Sequence, residues 1–537
     1  THIEYSVDGS TSSNPFDITE KDMQIQKLHI TDDYMINDVF NSDFIPATIG
    51  GESLYGYPMR TVISESNNTN WDKAVLAMAN VNIPYTYEKS LSLPYNVLHT
   101  DLKWSTNTED KKRASKYIES ILLMLRTKVL LNNGDLSKTE IVWFYPASMI
   151  QNRFNKFKAE WENTFATLFG APISNIIAAS ESVAPYYYHK AKKGATSTVV
   201  SVDIGGGTTD VLIVDKGEPK YLTSFRFAAN TIFGDGYSYD SDSNGFVNKY
   251  KDIITNQLET NNLRGLKAVL KSVLDKRVST DVIAFLFSLA SNKEIKKEKV
   301  EINFAKMLAD DNRGKYVVIL FYVAIVYHIA KLMKAKGFDM PRHMTFSGNG
   351  SKVLNILSTN DATLVRLTKI IFEEIYAQSY SIDGLDIIRP ANSKESTCKG
   401  GIILTPFQSQ DYGEIKDMKT ILIGTDNEKF ADVHMTYNDV TEADLDSVVD
   451  VIKEYIEFTF KLDKKFSFYD NFDVDRSIMN KVKDLCYRDI RTYLENGLAI
   501  KKSEIAQDGA DDNLEETLFF YPLVGIINAV VRNIYQM

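Results

Sequence analysis

The stretch Val202-Asp203-Ile204-Gly205-Gly206-Gly207-Thr208-Thr209-Asp210-Val211-Leu212-Ile213-Val214 decides how the chain is read. An apolar run ends in an acid, three glycines and two threonines follow, and a second apolar run leaves from a second acid. Two strands joined by a tight Gly-rich loop satisfy that pattern. Glycine lacks Cβ, so consecutive backbone N–H groups of Gly205, Gly206 and Gly207 can approach a phosphate, and Thr208 and Thr209 can add hydroxyl donors. Asp203, at the strand end, can hold a hydrated magnesium ion beside those phosphates. A plain β-hairpin is the competing reading, but it has no need of three glycines bracketed by Asp203 and Asp210. The P-loop, with its Lys-Ser/Thr and following helix, and the GxGxxG turn that opens a helix are different patterns.

Working outward, strands and helices alternate. Ala114, Ile118, Ile121, Leu122, Leu125 and Val129 recur at helical spacing until Asn132-Asn133-Gly134. A strand at Ile141 to Tyr145, a helix from about Gln151 to Phe169, a short strand near Ile176 and the strand at Ser197 to Ile204 follow, an order that favours an α/β layered fold. Residues 246 to 335 read as almost entirely helical, and Met344-Thr345-Phe346 returns as a short strand. Residues 1 to 110 are the least regular part, with short strand-like pieces such as Ile3-Glu4-Tyr5-Ser6-Val7 among many turn residues. Beyond residue 410, two short strands near Ile421 and Ala431 precede a helix with Leu445, Val448, Val449, Ile452 and Ile456 on one face, opened by Thr441 and Asp444 in a capping-box-like pair.

Composition bounds the function classes. The chain has 537 residues, 44% hydrophobic and 25% charged, too many for one core and typical of a multidomain globular protein. The net charge of −10 shows no basic footprint, so no nucleic-acid partner is expected. Two distant cysteines, Cys398 and Cys486, form neither a disulfide framework nor a zinc module, and a reducing cytoplasm is the default. The apolar runs Tyr316 to Ala330 and Leu518 to Val531 are shorter than the roughly 20 residues of a membrane span and read as buried helices. The N-terminus lacks the basic-then-apolar pattern of a secretory signal.

The segment around Gly205 to Thr209 resembles the second phosphate-binding loop of the actin, heat-shock-chaperone and sugar-kinase superfamily. Other pieces fall in that superfamily's order. Tyr145-Pro146-Ala147 resembles the chaperone-like ATPases, and Ala179-Ser180-Glu181-Ser182-Val183-Ala184 resembles the first connecting segment. Thr345-Phe346-Ser347-Gly348-Asn349-Gly350-Ser351-Lys352 resembles the adenosine loop, and Cys398-Lys399-Gly400-Gly401-Ile402 the second connecting helix. The resemblance implies two ribonuclease-H-like lobes closing over ATP and magnesium. It implies Glu181 near the γ-phosphate, Asp203 on the metal, and the backbones of Gly348, Asn349, Gly350 and Ser351 beside ribose and adenine. His99-Thr100-Asp101-Leu102-Lys103-Trp104 resembles the chaperone segment that brings a lysine, here Lys103, to the phosphates. The first phosphate loop departs from the pattern. Its nearest counterpart is Val7-Asp8-Gly9-Ser10-Thr11-Ser12, in which Asp8 touches Gly9 directly and Val7 takes the acidic slot if Gly9 takes the turn.

These pieces divide the chain into a first lobe at 1-198, a second at 199-384 with a helical insertion at 235-335, a return to the first lobe at 385-410, and a mainly helical region at 411-537. The expected function is a magnesium-dependent, actin-like or chaperone-like ATPase whose nucleotide state closes the cleft and controls a partner or self-assembly through 411-537. A nucleotide-binding scaffold without turnover is the alternative. A sugar or metabolite kinase is less favoured, because no acceptor signature is visible.

Overall fold

A computed structural model describes residues 2–7, 10, 12–16, 59–66, 76–82, 96–99, 102–103, 108–147, 149, 151–193, 198–238, 240–381, 384–390, 393–404, 421–422, 430–431, 435–508, 514 and 516–537. Of the first-loop residues named above, Asp8, Gly9 and Thr11 lie outside them.

Three separate sheets are described in the first 198 residues. β1 (Glu4–Tyr5) and β2 (Asn14–Pro15) pair antiparallel, with Glu4 opposite Pro15 and Tyr5 opposite Asn14. β3 (Met59–Ser66) lies antiparallel between β4 (Leu76–Asn82) and β5 (Asn96–His99). The helix read from apolar spacing is α1 (Thr108–Leu131), and Asn133 closes it in the left-handed region while Gly134 N–H returns to Val129 O. β6 (Ile141–Tyr145) runs parallel to β7 (Ile176–Ser180), a pairing that requires a crossover, supplied by α2 (Gln151–Phe169). Ile118 and Leu122 of α1 meet Trp143, Tyr145 and Phe165 in one apolar cluster. α3 (Val183–Lys193) follows β7.

The decisive stretch forms β8 (Val199–Ile204) and β9 (Thr209–Asp215), an antiparallel hairpin with a four-residue loop. With β10 (Glu218–Phe225), β11 (His343–Ser347) and β12 (Asp386–Ile388) they make a mixed sheet in the order β10-β9-β8-β11-β12. β8, β9 and β10 are antiparallel, and β8, β11 and β12 are parallel. Val200, Val202 and Ile204 face one core while Val199, Leu212 and Val214 face another, so these strands read as continuous apolar runs because both faces are covered.

After β10 comes the short α4 (Ala229–Phe233). Helices then fill the sequence to residue 309, among them Gly245–Thr260, Arg264–Asp275, Ser279–Ser288 and Phe304–Ala309. α5 (Lys315–Ala335) is longer than its apolar run suggested. It is the one helix among the described residues long and apolar enough to cross a bilayer, yet 94% of its most apolar window is buried in the chain's own core. A helix apolar on every side belongs at the centre of a core. α6 (Asp361–Tyr376) connects β11 to β12, and α7 (Ser393–Ile403) follows.

Beyond β13 (Ile421–Leu422) and β14 (Phe430–Ala431) the described structure is helical: α8 (Glu442–Phe466), α9 (Ile490–Asp508), α10 (Phe520–Ile534) and shorter pieces. Thr441 and Asp444 form the capping box read from sequence. These helices share one apolar cluster with α5 and the sheet. The Phe520 ring lies 3.9 Å from Phe225 and 4.8 Å from Phe227, which joins α10 to the end of β10. Beside it, Lys501 and Glu516 are buried 3.2 Å apart.

Candidate functional site

A cleft of about 2190 Å³ is lined by residues from both halves of the sequence. That exceeds the roughly 300–1,000 Å³ of a small-molecule pocket, leaving room for a nucleotide and its water. Ser10, Lys103, Glu181, Asp203, Gly205, Gly206, Gly207, Thr208, Gly348, Asn349 and Gly350 all reach it. Residues as distant as 10, 103, 181, 203 and 348 in sequence therefore meet in one space.

The Gly-rich loop closes by a bond from Gly205 N–H to Thr208 O (2.8 Å). The Gly205 and Gly206 carbonyls accept from Ala229 and Asn230 N–H at the start of α4, at 3.3 and 2.8 Å. Among the described residues the N–H groups of Gly206, Gly207 and Thr208 donate to no backbone carbonyl. With its carbonyls turned to α4 and these donors at the cleft, the loop has the donor set that an anion could take. None of the three glycines has positive φ, so what the loop uses is the missing Cβ and not the left-handed conformation.

Two residues expected in the site are committed elsewhere. Thr209 is fully buried, and its hydroxyl donates to Phe227 O at 2.6 Å. Its β9 position turns it from the cleft, leaving Thr208 as the one of the two loop threonines that lines it. Ser351 Oγ donates to Gly348 O at 2.7 Å and closes the turn after β11. The expectation for Gly348 and Gly350 also changes. A Cβ at Gly350 would lie 2.0 Å from Gly205 O, and one at Gly348 (φ +77°) would lie 2.3 Å from Ile204 O and 2.5 Å from Asp203 Oδ1. These glycines are required because the two loops pack on each other.

Asp203 is buried at the end of β8, in register with Ser347 of β11. Its Oδ2 accepts from Ser347 Oγ (3.0 Å) and lies 3.4 Å from Thr397 Oγ1 of α7. Across the hairpin it faces Asp210, a residue the sequence reading used only as a bracket. Asp210 Oδ1 accepts from Ala147 N–H at 2.9 Å, and its buried carboxyl has the Ser224 hydroxyl as a further polar neighbour. Burial, and then the charges of Glu181 and Asp203, push the Asp210 carboxyl up to about 8. The four-residue loop contained this signal, since closing 205–208 sets 203 opposite 210. Glu181 takes an ion pair from Lys103 (Nζ to Oε1, 2.6 Å), which joins the residue expected near the γ-phosphate to the lysine expected at the phosphates. Lys352 also lines the cleft, where burial draws its pKa down.

Among the described residues no three His, Cys, Asp or Glu side chains are grouped so that they could hold a metal ion between them. Magnesium fits such a site through water and phosphate oxygens with one or two carboxylates. The buried Oδ2 of Asp210 and the mutual charge of Glu181, Asp203 and Asp210 suit a cation. Beneath the cleft, α3 and α7 cross so closely that a Cβ at Gly400 would fall 1.8 Å from Ala184 O.

No family model matches the sequence, and no curated protein matches it. Among solved structures, the chain is similar to the ethanolamine utilization protein EutJ from Carboxydothermus hydrogenoformans at 12% identity and a TM-score of 0.29, over 65% of this chain and 91% of that one. It is also similar to MreB5 of Spiroplasma citri bound to ADP, at 13% identity and a TM-score of 0.31, over 66% of this chain and 90% of that one.

Proposed function

We propose that the chain binds ATP with magnesium in this cleft, hydrolyses it, and transmits the nucleotide's state to its C-terminal helices. One observation carries the reading: the uncommitted N–H groups of Gly206, Gly207 and Thr208 line the same cleft as Lys103, Glu181 and Asp203. Backbone donors hold phosphate, a cation neutralises it, and carboxylates order the cation's water. Magnesium, when bound, offsets charge on the transferring phosphoryl group. In this reading Asp203, which lines the cleft, would hold its water, with the buried Asp210 opposite it in the hairpin. Glu181 accepts a hydrogen bond from the attacking water once Lys103 turns from it to phosphate.

The output path follows the same loop. Thr209 is bonded to Phe227 O, and the neighbouring Arg226 donates its N–H to Glu516 (2.9 Å) and its guanidinium to Glu504 (2.6 Å). A shift of the loop would therefore act on α9 and the segment before α10, where a partner or second copy would sense it.

A scaffold that binds nucleotide without turnover is favoured by the Lys103–Glu181 pair, which occupies both groups with each other. Single-turnover hydrolysis separates the readings. The parent should hydrolyse ATP, and Asp203→Ala should slow the step about a hundredfold, or ~3 kcal/mol, while keeping much of the adenosine affinity. A parent that binds ATP and never hydrolyses it supports the scaffold.

A further inference from the structure

We propose that Glu4, and not Asp8, is the carboxylate that the first hairpin presents to the cation–phosphate group, as the positional counterpart of Asp203. The inference rests on the ATP reading and adds to it a residue that sequence pattern did not select.

Register carries the first step. In β8–β9 the last two pairs before the loop are Asp203 with Asp210 and Ile204 with Thr209. In β1–β2 they are Glu4 with Pro15 and Tyr5 with Asn14. Glu4 therefore holds the next-to-last paired position of the first hairpin, as Asp203 does in the second, but residues 6–13 lie between the strands there in place of 205–208, so Glu4 sits further back from the turn.

Side-chain direction carries the second step. Ile3 packs with Ile63 and Ile121, and Tyr5 lies under Lys128 of α1, so the odd positions of β1 face that helix's core. Strand alternation turns His2 and Glu4 to the other side. There α7 passes, with Cys398 Sγ 3.3 Å from His2 O and the Lys399 ammonium held up first by Glu395 and further by the charge of Glu4. Two residues before Lys399 on the same helix, Thr397 reaches Asp203. Both carboxylates thus approach α7 from opposite hairpins.

The third step is an unmet need. The Glu4 side chain is 2% exposed; its Oε1 lies 3.2 Å from His2 Nε2, and its Oε2 is buried without a hydrogen-bond partner. A buried carboxylate oxygen left unpaired is costly unless something binds there. Glu4 lines the same cleft as the Gly-rich loop, and a hydrated divalent cation supplies what Oε2 lacks. Glutamate is one methylene longer than aspartate, which suits a carboxylate set back in the strand.

The test is calorimetric titration of ATP with magnesium and with EDTA into the parent, Glu4→Gln, Glu4→Asp and Asp8→Asn, with melting temperatures recorded alongside. In the parent, magnesium should strengthen binding. Glu4→Gln should weaken the magnesium complex about tenfold and leave binding in EDTA nearly unchanged. Glu4→Asp should fall between, and Asp8→Asn should match the parent. A Glu4→Gln chain that keeps the full magnesium gain overturns the assignment while leaving the ATP reading intact, as does loss of that gain in Asp8→Asn. If Glu4→Gln does not fold, an undiminished gain in Glu4→Asp overturns it instead. A role confined to pairing with His2 and Lys399 would move the melting temperature alone, which also contradicts it. A parent that binds no nucleotide under either condition removes both proposals.

Discussion

The hairpins β1–β2 and β8–β9 both reach the cleft with a carboxylate at the same register position, but they are built into the molecule differently. β8 is bonded along its length to β9 on one side and β11 on the other, and its four-residue loop is held by α4 and packed against Gly348 and Gly350. β1 pairs with β2 through two residue pairs, and residues 6–13 separate them. Of the residues between them, Ser10 N–H donates to Val7 O, and the exposed Ser10 and Ser12 hydroxyls bond each other at 2.7 Å. The contrast teaches that the second loop is preorganised by backbone contacts. Of the first hairpin's described residues, the Glu4 side chain lines the cleft from β1. Donors fixed before binding cost little to order, so most of the phosphate affinity should come from the second loop.

The largest effect that could break this comparison lies behind the second loop. Glu516 is buried with Lys501 and also accepts from Arg226 N–H and Tyr521 OH. Glu516→Ala should cost about 3–5 kcal/mol by removing the buried carboxylate that Lys501 and Arg226 face, read from urea unfolding. A loss below 1 kcal/mol would show that the loop's support does not extend to the C-terminal helices. Next, Gly350→Ala should cost roughly 1–3 kcal/mol by driving the two loops apart, and it should weaken ATP binding in parallel. Unchanged stability would separate the adenosine-loop turn from the phosphate loop.

Asp210 gives a pH-dependent test. Its folded carboxyl, pushed up to about 8 from 3.8, keeps its proton across a window where the unfolded chain has lost it. Its contribution to stability is therefore full below about pH 3.8 and falls progressively as pH rises toward 8. Asp210→Asn should flatten that decline in the nucleotide-free protein, with thermal melts at pH 5 and 8.5 as the measurement. A parent whose stability rises over the window as steeply as the variant's would contradict it. The smallest effect is expected in the first hairpin, where Ser10→Ala should change stability by no more than about 0.5 kcal/mol, because its bond to Ser12 is exposed.

The same difference explains what the sequence revealed. The β8–β9 hairpin was legible because both strands are covered on both faces, so apolar runs, glycines and acids stand out without a partner strand. The α1, α2 and α8 helices were legible from period and caps. Thr209 was not, because the Phe227 carbonyl that takes its hydroxyl comes from the turn after β10. Nor were the tight approaches of Gly350 to Gly205 and of Gly400 to Ala184, which depend on segments far apart in sequence meeting. Glu4 escaped for a related reason: its significance is its register against Pro15, and no local motif surrounds it.

If the Gly205–Thr208 loop binds the phosphates of ATP, a single substitution in it should abolish that binding. The nearest atoms to a Cβ at Gly206 belong to the Asn230 side chain, at 3.6 to 3.9 Å, an ordinary van der Waals distance, so a side chain there should be tolerated by the fold while crowding any phosphate at the loop. Calorimetric titration of ATP with magnesium should show saturable binding to the parent chain and a loss of at least about a hundredfold in Gly206→Val, at a melting temperature close to the parent's. Equal affinity in the two proteins, with both folded, would contradict the account.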